Sequence, residues 1–163
     1  MEVLTVYCME CGTRMKVARE NFRDKTLGLP NLTLAGVEVR RCPACGAEEV
    51  AIPRIEEMHR VVAGALIRKA GRLDGAEIRF LRKSLGWSGM DFARRFGVAP
   101  ETISRWEHGA PMDRLAERLL RLAVAREAPV ADYRVEDLGF VDAPPAKTFR
   151  VRVKPAGKRW IAA

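Results

Sequence analysis

The stretch from Ser88 to Glu107, SGMDFARRFGVAPETISRWE, carries the reading on which the rest of the chain depends. Ser88, followed three residues on by Asp91, is a capping pair that opens a helix with Phe92, Ala93 and Phe96 on its buried side. Gly97 supplies a turn, Val98 plugs beneath it, and Pro100 suits the first position of a second helix, where a missing amide hydrogen costs nothing. In that second helix Ile103 and Trp106 lie three apart and face inward, which leaves Glu101, Thr102 and Arg105 together on the opposite side. A helix offered in this way can lie in the major groove of DNA. Arg94 and Arg95, on the helix that would cross the backbone, are the expected phosphate contacts, and Ser88 and Ser104 complete the candidate DNA-binding set. An all-helical domain packed by the same geometry without DNA would account for Ile103 and Trp106, but not for the exposed arginines.

Working outward, Ile78, Leu81 and Leu85 share one face of a helix that begins near Gly75 and stops at Gly86, and four helices fit between Gly75 and Pro129. The last of these carries two apolar stripes. Leu115, Leu119 and Leu122 form one, and Ala116, Leu120 and Ala123 the other; a small core needs only one of them, so the second points to a homodimer. Upstream, Ile55, Met58, Val62, Ala65 and Leu66 recur at helical spacing as far as Gly71, giving a bridging helix within residues 54–72 whose plainest reading is a structural linker.

The four cysteines of the chain fall in two matched pairs, Cys8 with Cys11 and Cys42 with Cys45, each followed by glycine. A two-residue gap lets both thiolates of a turn point at one ion, and the glycine tolerates the backbone conformation such a turn needs. Two turns together fill a tetrahedral shell and leave no vacancy for water, so the expected cofactor is one structural Zn2+ per chain, with rubredoxin-like iron or a disulfide switch as the competing chemistries. Val37 and Val39 alternate with Glu38 and Arg40 before the second pair, as in a half-exposed strand. The fold class is therefore α+β in two domains: a small β-rich zinc-knuckle domain over residues 1–53, then an all-α helix-turn-helix domain over residues 73–128 for DNA binding and dimerisation. Residues 129–163 read as a tail with one strand at residues 149–153, which could pair with a partner, with the cysteine domain, or with nothing.

The formal charge of +8 is unevenly spread: residues 1–57 sum to −1, residues 58–127 to +6 and residues 128–163 to +3. A basic central segment beside a near-neutral one suggests a polyanionic partner for that segment. Neither a long apolar run nor a signal-like N-terminus is present, so a cytoplasmic location without membrane contact is expected. His59 and His108, the two histidines, neighbour no nucleophile pattern, and no phosphate-cradling glycine loop appears, which argues against an enzyme.

With Ala93 as the fifth motif position, Gly97 is the ninth, Ile103 the fifteenth and Trp106 the eighteenth, a spacing that resembles the Xre/Cro-type repressors. The sequence departs from them at Gly89, which stands where relatives often have glutamine. The order of knuckles, bridging helix and helix-turn-helix over residues 1–126 resembles the MqsA family of zinc-finger antitoxins. That resemblance implies zinc at Cys8, Cys11, Cys42 and Cys45, a homodimer on a palindromic double-stranded operator, and autorepression of a type II toxin-antitoxin operon with a toxin protein encoded nearby. It places the family's base-reading arginine on Arg105 and its base-reading asparagine on Glu101, a change that exchanges an adenine reader for a group that accepts from cytosine or repels phosphate. A solitary zinc-stabilised transcription regulator without a toxin partner is the alternative.

Overall fold

The computed structural model describes residues 5–127, 133–145 and 149–163. Three strands come first, β1 (Lys16–Arg23), β2 (Leu32–Arg41) and β3 (Glu48–Ala51), then five helices, α1 (Ile55–Ile67), α2 (Gly75–Ser84), α3 (Gly89–Phe96), α4 (Pro100–Glu107) and α5 (Arg114–Glu127). A 3-10 segment (Val135–Asp142) leads on to β4 (Val151–Ala156) and β5 (Arg159–Ala162). The β-rich cysteine region followed by an all-helical region is the architecture expected.

Leu32, Leu34, Val37 and Val39 of β2 are buried, while Thr33, Glu38 and Arg40 are partly exposed. Alternation slips once, because pairing with β1 jumps from Leu34 opposite Phe22 to Val37 opposite Glu20. Ala35 and Gly36 thus face the single residue Asn21, and Gly36 takes the left-handed φ of 64° that such a bulge needs. Strand order is β1-β2-β4-β5, with β3 pairing the far end of β2. These pairings are antiparallel except β2 with β4, which run parallel from Leu32 opposite Val151 to Leu34 opposite Val153.

That parallel pair decides the topology. The whole helical region lies between β2 and β4 in the chain, as the crossover a parallel connection requires. The tail strand therefore pairs with this chain's own cysteine-bearing sheet, starting at Val151 rather than Phe149 and running to Ala156. The hairpin partner β5 had no alternating run long enough to announce it. Its Trp160 is buried, and the indole Nε1 donates to the Pro53 carbonyl at 2.6 Å. The first four residues of the expected cysteine domain, and the boundary expected at residues 128/129, lie outside the described residues.

The helix at residues 54–72 does more than link. Met58, Val62, Ala63, Leu66 and Ile67 are buried; α1 packs on β4 and β5 with one side and on α2 and α5 with the other, whereas Ile55 stays exposed. One continuous hydrophobic core runs from the sheet through α1 to Phe92, Ile103 and Trp106.

The last turn of α1 carries no basic residue; Arg68 at its C-cap reaches back to the Gly64 carbonyl at 3.4 Å, and the carbonyls that follow need another donor. Arg121 of α5 takes that role: fully buried, it donates to the carbonyls of Ile67 (3.0 Å), Lys69 (2.8 Å) and Gly71 (2.7 Å), and to Glu117 (2.9 Å). Glu117, equally buried, also accepts from Arg72 Nε at 2.7 Å and from the Leu73 amide at 3.0 Å. Removing one member of a buried pair leaves the other charge uncompensated. Glu117→Ala should accordingly lower unfolding stability by about 3–5 kcal/mol in urea titration, and a loss below about 1 kcal/mol would show that the pair contributes little net stability.

Candidate DNA-binding face and metal centre

Helix α3 is defined at both ends by local chemistry. The Ser88 hydroxyl accepts from the Asp91 amide at 3.0 Å, and the Asp91 carboxylate accepts from the Ser88 amide at 3.0 Å and its hydroxyl at 2.6 Å. These bonds hold the Asp91 carboxyl below its ordinary pKa. Gly97, at φ 64°, ends the helix, and the Val98 amide returns to the Ala93 carbonyl at 3.1 Å. Pro100 then starts α4, with Ile103 and Trp106 buried as expected; Phe96 is only half-buried. The two helices meet through an aromatic cluster in which Phe92 stands edge-on to Phe96 at 4.5 Å between centroids and 6.3 Å from Trp106.

A clamp not legible in the sequence aims α4. Glu107, at its last turn, binds the guanidinium groups of both Arg79 and Arg82 on α2. Burial works against the Glu107 charge, but Arg82 and then Arg79 outweigh it and keep the carboxyl below its ordinary pKa. The same two elements touch at Gly75, where a Cβ would come within 2.5 Å of the Glu107 carbonyl oxygen. Glycine at the start of α2 is a packing requirement, and only the tertiary structure reveals it.

With Arg79 and Arg82 occupied, the outward-facing arginines of the helix-turn-helix unit are those on α3 and α4. Glu101, Ser104 and Arg105 are exposed and Thr102 half-exposed on the outer side of α4. Arg105 Nη2 donates to the Thr102 hydroxyl at 3.2 Å, which steadies its long side chain along the helix. Arg94 and Arg95 project from the last turn of α3, where Arg95 lies 4.9 Å from the Trp87 ring centre. Ser104 is engaged by His108, whose Nδ1 lies 2.7 Å from the Ser104 carbonyl, so His108 serves the end of α4. His59 is half-buried against the edge of Phe80.

At the other end of the molecule the two knuckles repeat one backbone design. The Cys8 amide donates to Thr13 O and the Gly12 amide to Cys8 O, both at 2.9 Å; the Cys42 amide donates to Ala47 O at 2.8 Å and the Gly46 amide to Cys42 O at 3.1 Å. Gly12 and Gly46 adopt φ of 71° and 75°, as the turns demand. The four sulfurs lie within 4.8 Å of one another, with Cys8 and Cys42 buried and Cys11 and Cys45 exposed.

Thiols packed so closely disagree about protons. Hydrogen bonds from the side chain and then the backbone of Thr13 bring Cys11 down to about 6. At Cys45 the Ala47 backbone favours the thiolate, yet the three neighbouring cysteines push the other way and raise it to about 12. Four thiolates this close repel one another, which a cation among them would offset, and an all-sulfur set of four suits a metal ion. The residues present fit such a site.

Among the described residues no helix is long and apolar enough to cross a membrane. A helix-turn-helix family model matches residues 78–123, from the middle of α2 into α5. Neither the curated proteins nor the solved structures gave a match. The matched segment contains the whole α3–α4 unit and supports its reading as the DNA-binding part of a transcription regulator of Xre type.

Proposed function

We propose that this protein is a sequence-specific, non-enzymatic, cytoplasmic transcription regulator in which α4 enters the major groove and α3 lies across the backbone. The observation that carries the reading is the family match over residues 78–123 joined to the outward-facing Arg94, Arg95 and Arg105 on an α3–α4 unit. Arg105 would read guanine with its two-pronged guanidinium, Glu101 and Thr102 would lie one turn earlier on the same face, and Ser88, Ser104, Arg94 and Arg95 would hold the phosphates. Replacing Arg105 by Ala should cost about 1–3 kcal/mol on the operator and relax preference at one base pair of each half-site. Arg94→Ala should weaken all DNA alike. Titrations over single-base operator variants decide between these roles; an Arg105→Ala protein that loses affinity uniformly would make Arg105 a phosphate contact and remove α4 from the groove.

The cysteine centre is proposed to hold one structural Zn2+ through Cys8, Cys11, Cys42 and Cys45. Bound there, the ion would supply no chemistry beyond cross-linking residues on either side of β1 and β2. Elemental analysis of protein produced with ample zinc and iron should give one zinc per chain, and Cys42→Ser should lose it along with stability of the sheet. Finding neither metal would end the tetrathiolate reading.

A homodimer on a palindromic operator is supported by Leu115, Leu119 and Leu122, which form an exposed stripe on α5 while Leu120 and Val124 fill the core. Leu119→Glu should convert a particle of twice the 18.2 kDa chain mass into a monomer by light scattering; a wild-type monomer at the concentrations used for operator binding would refute it. Autorepression as an antitoxin is the finer reading, and it rests on the order of the motifs. Co-purification of the product of an adjoining reading frame tests it, and a chain that consistently purifies alone is a solitary regulator.

A further inference from the structure

The sheet has a chemistry that its first three strands do not foretell. Residues 149–163 contain five basic side chains, Arg150, Arg152, Lys154, Lys158 and Arg159, and no acidic one. All five are exposed. Among the described residues none of the five makes an ion pair or side-chain hydrogen bond, in contrast to Lys69, Arg72, Arg79, Arg82 and Arg121, which are all tied to carboxylates.

Strand alternation sorts them. Val151, Val153 and Trp160 point inward to α1, so Arg152, Lys154 and Arg159 point outward. Registry then extends the row, for Arg152 stands opposite Thr33, which stands opposite Arg23, and Arg159 stands opposite Ala156, the next outward position after Lys154. The carboxylates of the sheet are elsewhere: Glu20 and Glu48 bind Arg41 at the far end of β2, Glu38 binds Arg40, and Glu49 stands opposite Arg40 on β3. One half of the outer face is thus uniformly positive. It lies on the opposite side of the sheet from α1, and so apart from α4.

Collecting unpaired cations on one flat face costs self-repulsion that a polyanion would relieve. On β4 and β5 this face presents no aromatic residue, and Ile161 is its one large exposed apolar side chain, so it lacks the anchors that a membrane surface or a protein partner would engage. Guanidinium groups suit phosphate oxygens, which they bind in a two-pronged fashion. We propose that the outer face of β4 and β5, through Arg152, Lys154 and Arg159, is a second DNA-binding surface that takes the phosphate backbone of duplex DNA without reading its sequence.

The test is a titration of the full-length protein and of its Arg152→Gln, Lys154→Gln, Arg159→Gln variant against random-sequence duplex DNA, single-stranded RNA and phosphatidylserine vesicles at several salt concentrations. The variant should bind random duplex at least about tenfold more weakly at low salt, with the slope of log K against log salt reduced by up to about 2.7, or about 0.9 for each phosphate no longer neutralised. A charge-retaining Arg152→Lys, Arg159→Lys protein should keep most of the affinity, and if the triple variant does not fold, Lys154→Gln alone should reduce the slope by about 0.9. Arg105→Ala run in parallel separates this surface from α4, because it should alter base preference on the operator while the sheet variant leaves that preference unchanged. Unaltered duplex affinity and salt slope in the sheet variants, or a loss confined to RNA or to vesicles, would overturn the proposal.

Discussion

Arg121 and Glu117 sit where every layer of the molecule meets. A guanidinium with no exposed surface is tolerable only when most of its donors are used; Arg121 places its two Nη groups on three carbonyls that α1 and its following loop cannot satisfy alone, and only its Nε is left without a partner. Glu117 supplies the countercharge and simultaneously binds the chain at Arg72 and Leu73, at the entry to α2. One turn of α5 therefore fixes where α1 ends and where α2 begins. As α1 is the helix that lies on the sheet, the same contact sets the sheet against the helical layer.

From α2 the constraint passes on to α4. Asp74 and Glu77 cap α2 reciprocally at 2.8 and 2.9 Å, and Arg79 and Arg82 of that helix hold Glu107 at the end of α4. Glu77 itself is shared with Lys69 at 2.7 Å, although burial pushes its carboxyl above the ordinary value. Positive charge in the helical region is thus divided by function. Arginines and Lys69 that face carboxylates orient helices, and the cations left over, Arg94, Arg95 and Arg105 on α3 and α4 among them, are free to meet an anion.

The four-cysteine cluster stands apart from this network. Cys8, Cys42 and Met15 form their own small buried cluster, separate from the main core. Such a cluster buries too little apolar surface to order two turns by itself, an energetic gap that a metal ion held by the four thiolates would close. Its structural reach is the end of β2 and the turns flanking it, whereas α1 and the tail strands rest on the shared core.

What the chain determined by itself is whatever depends on neighbours a few residues apart. The capping pair at Ser88 and Asp91, the left-handed Gly97, Pro100 opening α4, the inward Ile103 and Trp106, the paired knuckles and the alternation of β2 are all local, and each was legible from spacing alone. Tertiary structure decided what depends on partners far along the chain. Nothing near Val151 says that it will lie parallel to Leu32, nothing near Arg121 says that it will cap α1, and nothing near Gly75 says that α4 will press on it. Alternation announces that a strand exists but not which edge it joins, because backbone hydrogen bonds carry no address; only the burial of Val151, Val153 and Trp160 against α1 selected that edge and turned an apparent tail into two of the sheet's five strands.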